Sequence, residues 1–372
     1  MNERDLHYAR LALEAAAEGI GLASPNPLVG TVIVRNDEIV GRGTHRYDDL
    51  KHAEVLALEE AGDRARGATA YVNLEPCSHI GRTPPCVGAL VDAGVVRVVA
   101  SIEDPAPYVN GRGFEQLRAA GIDVVIGVDR DAAERLNERY LHFMRAGLPF
   151  VTIKFAATLD GRVATSEGRS ERITGDASRE ASHQLRLAYD AILVGVGTVV
   201  ADDPSLTYRG ANPKRVPLLR VVLDPRLRTP VGARLVTTAE STPTLIYTRQ
   251  VDDASHASRA SALRDCGVEV AEMPFDSHHG IALDAVLADL AARRVQGLIV
   301  EGGPETTAGF VARGYVDKVV AFIAPKLLGG RRSIGAIGGG DRDSIDDALE
   351  LERVETRRIG DDIEVTGYPV RS

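Results

Sequence analysis

Tryptophan is absent from this 372-residue chain, cysteine occurs three times, and aromatic residues make up only 5% of it. Three cysteines cannot build the disulfide framework of a small secreted scaffold. No run approaches the roughly 18 apolar residues of a membrane helix, so no membrane span is expected. The opening Met1-Asn2-Glu3-Arg4-Asp5 carries no apolar signal stretch, and the expectation is a cytoplasmic protein. A basic excess is missing too. Lys and Arg number 44 against 53 Asp and Glu, a formal net charge of -9. That balance argues against a general nucleic-acid binder, although local arginines can still hold a phosphorylated small molecule. There is no internal repeat. The rest of the composition, 44% hydrophobic and 26% charged, is that of an ordinary globular protein. Its length favours two domains over one core.

Two of the three cysteines fall in one constellation: His52-Ala53-Glu54, then Pro76-Cys77, then Cys86. An imidazole and two thiolates are the ligand types and number of a catalytic zinc that keeps a fourth position open. Glu54, two residues from the histidine, matches the non-ligand acid/base glutamate of zinc deaminases, whose pattern is H-x-E followed by P-C-x-x-C. Here eight residues separate the cysteines, which sets the chain apart from ordinary nucleobase deaminases. A disulfide between Cys77 and Cys86 is the plainer alternative, and nothing favours the oxidising compartment it needs. Cys266 stands alone and reads as a buried small hydrophobe.

The first ~145 residues alternate helix and strand patterns, the signature of an α/β layered domain. Helices are expected over 6–17, 52–61, 86–93, 114–120 and 131–145, and strands over 30–34, 68–74, 95–100 and 123–128. This places His52 and Glu54 at one helix start and Cys86 at another, where negative charge and a thiolate are favoured. Residues i and i+2 do not share a helix face. His52 and Glu54 therefore converge only if the site sits over the helix end.

A boundary is expected near Leu148-Pro149, giving domains 1–146 and 147–372. Strands follow at 150–156, 191–194, 220–223, 244–247, 268–273 and 297–300, with helices at 176–189, 255–264 and 283–293. Two glycine-rich turns lie between a strand and a helix start: Gly195-Val196-Gly197-Thr198 and Gly302 to Thr307. Such turns cradle phosphate with backbone N–H groups. Neither is a G-x-G-x-x-G, so a tight turn with no ligand fits as well. Lys154 stands out inside an apolar strand, because lysine is rarely buried unpaired. Arg186 and Arg209 read individually as solvated residues, and Asp202-Asp203-Pro204 as a turn. Residues 329–343, rich in Gly and Arg, read as a loop.

Six segments occur in order: Ser24 to Gly30, His52 to Glu54, Glu75 to Cys86, Lys154 to Arg162, Asp190 to Val199 with Asp202 to Thr207, and Glu301 to Gly303. Together they resemble the bifunctional riboflavin-biosynthesis deaminase/reductase family over about residues 6–330, and that family has the long gap between the cysteines. The resemblance implies a cytidine-deaminase-like three-layer domain followed by a dihydrofolate-reductase-like domain. It implies zinc-dependent deamination of 2,5-diamino-6-(5-phosphoribosylamino)pyrimidin-4-one, then NADPH-dependent reduction of the ribosyl group to ribityl. By the family pattern, His52, Cys77 and Cys86 hold one zinc ion and Glu54 carries protons. Ala156, Arg172, Thr198, Asp202, Gly303, Pro304, Glu305, Thr306, Thr307, Ala308 and Gly309 fall at cofactor positions. Ser170, Arg186, Leu206, Arg209 and Glu301 fall at substrate positions, and Lys154 is the candidate for a charged contact near the reacting sugar. The implied partner is a phosphorylated pyrimidine, with no nucleic acid and no membrane; a homo-oligomer is compatible with the pattern.

The chain departs from that pattern twice. Arg172 stands where the family usually has tryptophan, replacing an aromatic wall with a group that stacks or meets a phosphate. The loop His45 to Lys51 lacks the glycine usual before His-Ala-Glu. Two rivals remain at this point: a nucleoside or tRNA deaminase with an unrelated second domain, and a binding protein with a spent reductase domain.

Overall fold

The computed structural model describes residues 2–81, 84–168, 172–276, 280–341 and 343–371. Two compact units emerge: Met1–Gly147 with Pro213–Arg215, and Leu148–Asn212 with Val216–Ser372.

The first unit runs α1 (Glu3–Ala17), β1 (Gly30–Arg35), β2 (Glu38–Thr44), α2 (Ala53–Ala61), β3 (Thr69–Leu74), α3 (Cys86–Asp92), β4 (Arg97–Ile102), α4 (Arg112–Ala119), β5 (Asp123–Ile126), α5 (Arg130–Leu136) and α6 (Glu138–Ala146). Its sheet has the order β2-β1-β3-β4-β5. The β1 strand is antiparallel to β2 and β3, while β3, β4 and β5 are parallel. Alternation along the strands builds two cores. Ile33, Val72, Val98 and Ala100 meet Ala57 of α2, Leu90 of α3 and Phe114 and Leu117 of α4. Val32, Val34, Tyr71 and Val99 meet Tyr8, Ala9 and Ala12 of α1. The result is three layers, helix–sheet–helix.

Small residues set how closely α2 lies on β2. A Cβ on Gly41 would sit 2.0 Å from the Ala57 carbonyl oxygen, and one on Gly43 would sit 2.0 Å from that of Ala53. Only glycine permits this approach, and it fixes the start of α2, where His52 and Glu54 lie. The expected helix over 131–145 is broken at Asn137. The Asn137 amide is committed elsewhere: its Oδ1 accepts from Leu28 N (2.8 Å) and its Nδ2 donates to Leu28 O (2.9 Å). Its backbone leaves the helical region at φ -103°.

The second unit runs β6 (Phe150–Thr158), β7 (Arg162–Ala164), α7 (Asp176–Leu187), β8 (Ala191–Gly195), α8 (Val196–Asp202), β9 (Leu219–Leu223), α9 (Arg234–Thr237), β10 (Thr244–Arg249), α10 (Ala254–Asp265), β11 (Glu269–Met273), α11 (Leu283–Ala292), β12 (Gly297–Val300), α12 (Pro304–Ala312), β13 (Lys318–Ala324), β14 (Ile334–Gly335), β15 (Leu351–Ile359) and β16 (Asp362–Pro369). Nine strands form one sheet in the order β11-β10-β9-β8-β12-β6-β13-β16-β15. The pairs from β11 to β13 are parallel, and those among β13, β16 and β15 are antiparallel. The central strands are buried on both faces, as parallel sheets require: Ala191, Ile192, Leu193 and Val194 are all fully buried. Ile192, Val194, Val222 and Ile246 belong to one core, and Leu193, Val221, Leu245 and Val300 to the other.

Cys266 departs from expectation. It is exposed, because it follows α10 and precedes Gly267, whose φ of 81° turns the chain at the surface. The expected loop over 329–343 contains the short β14, which pairs with β7. No helix among the described residues is long and apolar enough to cross a membrane.

Candidate active sites

In the first unit, three chain turns meet. His52 is the N-cap of α2, and its side chain makes no capping bond. Cys77 follows the end of β3, and this turn is pinned by Glu75. The Glu75 carboxylate accepts from the backbone N–H of Asp104 (3.2 Å), Gly111 (3.0 Å) and Gly113 (2.8 Å). Cys86 opens α3 behind Pro85, and its N–H donates to Cys77 Sγ at 3.3 Å. His52 Nδ1 lies 3.1 Å from Cys86 Sγ and 3.4 Å from Cys77 Sγ. All three donor atoms are within 4.8 Å of one another, a group able to hold a metal ion.

The electrostatics suit a cation. The Cys86 thiol beside it, the His52 ring and the Cys86 N–H hold Cys77 low, at about 4, against burial. The Cys77 thiolate and burial push Cys86 up. The His52 ring is pushed up, first by its contact with Cys77. Two cysteine sulfurs and an imidazole grouped this closely are a donor set that fits zinc. Glu54 is 3% exposed, and its Oε2 has no hydrogen-bond partner. Burial, with the Cys77 thiolate adding to it, raises the Glu54 carboxyl to about 7.

His52, Glu54 and Cys77 line a cavity of about 200 Å³ that also takes in Asn26, His45, His79, Asp104, Tyr108 and Tyr140. None of these six was singled out in the sequence as a site residue. Asn26 and His79 lie inside motifs that carried the resemblance, so they had a signal. Asp104, Tyr108 and Tyr140 arrive from the loop after β4 and from α6 and have no local signature. His45 is a fixed wall: its Nε2 meets Asn26 Nδ2 at 2.9 Å and its Nδ1 meets Lys51 O at 3.0 Å. Because the carbonyl can only accept, the network assigns the proton to Nδ1.

In the second unit, a buried carboxylate is the centre. Glu301, after β12, receives Arg186 from α7 in a two-pronged pair: Nε to Oε1 at 2.8 Å and Nη2 to Oε2 at 2.9 Å. Lys154 of β6 reaches Oε2 at 3.2 Å. Burial would raise the Glu301 carboxyl, but Lys154 and Arg186 outweigh it and hold it at about 2. Arg186 also donates to Thr207 O at 2.9 Å, tying α7 to the loop after α8.

Three cavities adjoin this cluster. The largest, about 710 Å³, is lined by Gly195, Gly197, Thr198, Asp202, Gly302, Gly303, Pro304, Glu305, Thr306 and Gly309 among others. A second, about 320 Å³, is lined by Lys154, Ala156, Ile173, Asp202 and Glu301 to Pro304. A third, about 310 Å³, is lined by Lys154, Ala156, Ser182, His183, Arg186, Leu206 and Arg209. Asp202 belongs to all three. A Cβ on Gly302 would lie 2.7 Å from Thr306 Cβ, and one on Gly195 would lie 2.4 Å from Thr306 Oγ1. Glycine there keeps the backbone at the start of α12 accessible, with Gly303 as N-cap and Pro304 following it. Volume, glycine cradle and helix start fit a dinucleotide.

Not every expected position reaches these cavities. Thr307 and Ala308 are buried within α12 and line none of the three cavities. Arg172 lines none of the three; its side chain is 74% exposed and lies 3.5 Å from Asp176. Ile173, its neighbour, lines the second cavity instead. Ser170 lies outside the described residues.

Fold and sites thus define a class: a zinc-dependent deaminase unit and an NADPH-dependent reductase unit on one chain. Residues 2–102 match the cytidine and deoxycytidylate deaminase zinc-binding region, and residues 149–365 match the RibD C-terminal domain. The riboflavin biosynthesis protein RibD of Aquifex aeolicus is 41% identical over 363 residues, covering 98% of each chain. The Acinetobacter baumannii RibD structure superposes with a TM-score of 0.88 at 34% identity, covering 99% of both chains. A Thermotoga maritima structure described as a diaminohydroxyphosphoribosylaminopyrimidine deaminase/5-amino-6-(5-phosphoribosylamino)uracil reductase reaches a TM-score of 0.83 at 31% identity, covering 98% of this chain and 99% of that one. The chain belongs to the RibD family of bifunctional riboflavin-biosynthesis deaminase/reductases.

Proposed function

We infer that the chain deaminates 2,5-diamino-6-(5-phosphoribosylamino)pyrimidin-4-one and reduces the resulting 5-amino-6-(5-phosphoribosylamino)uracil to its ribitylamino product, in the cytoplasm. The observation that carries the first step is the buried Glu54 carboxylate, with one oxygen that has no hydrogen-bond partner, beside the His52, Cys77 and Cys86 donors. Zinc, when bound by those three, supplies the Lewis acid that makes water a nucleophile near neutral pH. Glu54 takes a proton from the attacking water and returns one to the departing ammonia. His45 and Asn26 hold each other in place on the same cavity wall.

NADPH, when bound along Gly302 to Thr306, supplies the hydride of the second step. Glu301 holds Lys154 and Arg186 in position, so that Lys154 presents its ammonium beside the sugar undergoing reduction. Arg209 is exposed at the rim of the third cavity and offers its guanidinium to the substrate phosphate. Incubation of the zinc-loaded protein with the diaminopyrimidine tests the reading. Mass analysis should show exchange of an amino for a hydroxyl group without NADPH, and addition of two hydrogens only with it. Recovery of unchanged substrate in both arms would refute it.

A further inference from the structure

Arg220 is the bulkiest fully buried side chain among the described residues, and neither reaction uses it. It lies in β9, paired with Ile192 of β8 on one side and Thr244 of β10 on the other. Burial lowers the guanidinium to about 10, and no carboxylate offsets it. A buried cation without a counter-ion is costly. Its partners are neutral oxygens, most of them on one short helix. Nη2 donates to Leu235 O at 2.8 Å, Thr238 O at 3.2 Å and Thr242 O at 2.6 Å. Nη1 donates to Thr238 Oγ1 at 2.8 Å. Leu235 belongs to α9 and Thr238 ends it. The carbonyls of a last turn have no partner within their helix, and a cation beside them is favoured. Arg220 therefore holds the far end of α9 from inside the sheet.

The near end of α9 is bonded to the loop that follows α8. Arg234 N donates to Asp203 Oδ1 at 2.7 Å. Asp203, Ser205, Leu206 and Arg209 of that loop line the third cavity. Two of these non-glycine residues have positive φ, Asp203 at 39° and Leu206 at 49°. Side chains crowd the backbone in that region, and such a conformation persists only where the surroundings fix it. Arg220 fixes it at two points. One runs through α9 to Asp203. The other is direct: Arg220 Nη1 donates to Ser205 O at 3.4 Å.

We propose that Arg220 is a positioning residue of the reductase, which holds the 203–206 loop in the shape that receives the phosphorylated substrate and acts through α9 and Asp203 without touching a ligand. The proposal rests on the reductase reading above. Its test is steady-state reduction of 5-amino-6-(5-phosphoribosylamino)uracil by the full chain, with NADPH affinity, deamination and urea midpoint measured on each variant. A loop that loses its shape forfeits contacts made equally before and during the reaction, so KM rises and kcat is nearly unchanged. A protein that is only destabilised has a smaller active fraction, so kcat falls and KM stays. Arg220→Lys keeps the charge but not the fork of donors, and should raise KM about five- to thirtyfold. Asp203→Ala breaks the link at the other end of α9. The Asp203 side chain is 49% exposed, so KM should rise in the same range with little change in urea midpoint. Thr238→Val removes one acceptor and should give a smaller rise. Arg220→Lys with Asp203→Ala should be no worse than the more severe single variant, because both interrupt one relay. NADPH affinity and deamination should be unchanged throughout. A folded Arg220→Lys with unaltered KM, or a double variant whose effects multiply, would overturn the proposal and leave the reductase reading intact. If Arg220→Lys does not fold, Asp203→Ala and Thr238→Val decide, and an unaltered KM in both overturns it. An unaltered chain that cannot reduce the uracil would overturn both readings.

Discussion

Glu54 and Glu301 are both buried glutamates at the start of a helix or just before one, and they behave in opposite ways. Glu54 has an oxygen without a partner and thiolates nearby, and its carboxyl is pushed up to about 7. Glu301 has a two-pronged arginine and a lysine, and its carboxyl is held at about 2. Burial is common to both, so the partners decide the role. A carboxylate with no direct ion pair to a basic side chain and one oxygen unbonded is placed to take up a proton and pass it on. One enclosed by cations stays charged and serves as a fixed anchor.

Removing the carboxylate is the strongest way to break that comparison. Glu54→Gln should abolish deamination by at least ~10²–10⁴-fold, because one group serves two proton transfers and an amide serves neither. Zinc content should be retained, and reduction of supplied 5-amino-6-(5-phosphoribosylamino)uracil should be unaffected. A zinc-loaded variant with near-normal deamination would remove Glu54 from its role. Glu301→Gln should act on the fold instead. It leaves Arg186 and Lys154 without their counter-charge, a loss of about 3–5 kcal/mol in the stability of the second unit. The pH dependence follows from the depressed carboxyl. The stabilisation from Glu301 is fully present above its ordinary value of 4.5 and is lost as pH falls through about 2. Urea midpoints of the two proteins should converge on acidification across that window, and a gap that widens there would contradict the ion-pair assignment.

The contrast between the two sites also bears on what could be read from the chain. The His52, Glu54, Cys77 and Cys86 set was legible because metal ligation requires particular residue types at helix and strand ends, and few other needs put them there. The glycine turns at Gly195 and Gly302 were legible as strand-to-helix turns, and their cofactor reading came from the resemblance. The Glu301 cluster was legible only in its members. Lys154 lies 147 residues from Glu301 and Arg186 lies 115, so the pairing is a product of tertiary structure. Asp104, Tyr108 and Tyr140 converge on the deaminase cavity in the same way. Among the strands, β15 was illegible for a physical reason: it is exposed or half-exposed along its length and shows no buried face. It is held instead by contacts such as Arg357 to Glu364 and Arg353 over the Tyr368 ring. β13 is different; its run Val319 to Ala324 is apolar enough to read as a strand, and the expectation lacked it without physical cause.

Arg186 and Arg209 sharpen the comparison further, since the sequence gives no reason to separate them. The structure pairs Arg186 with Glu301 and leaves Arg209 exposed at the cavity rim. Arg209→Ala should therefore lower reductase kcat/KM about ten- to a hundredfold with little change in stability. Arg186→Ala should cost activity and stability together, because half of the Glu301 compensation goes with it. Deamination and NADPH affinity should be retained in Arg209→Ala. If both variants unfold at the same denaturant concentration, the distinction between an anchored and a free arginine is wrong.

The smallest effect concerns the backbone beside the deaminase site. Leu50 stands two residues before His52, in the loop where the resemblance led to an expected glycine. It adopts φ 59° and ψ -14°, the left-handed region, and is 50% exposed. A branched side chain there costs roughly 1–2 kcal/mol through crowding of its Cβ against the carbonyl. Glycine removes that cost but gives back roughly 0.5–1 kcal/mol in the entropy of the unfolded chain. Leu50→Gly should therefore stabilise the first unit slightly, by about 0.5 kcal/mol net. Half of the leucine side chain is already in water, so little buried apolar area offsets the gain. Leu50 also lines the deaminase cavity, so the substrate KM is the second readout. A higher Tm of the zinc-loaded protein with unchanged KM would mean that Leu50 only strains the loop. A lower Tm would mean that its packing over the cavity outweighs the backbone cost, and that the loop before His52 is shaped by leucine rather than in spite of it.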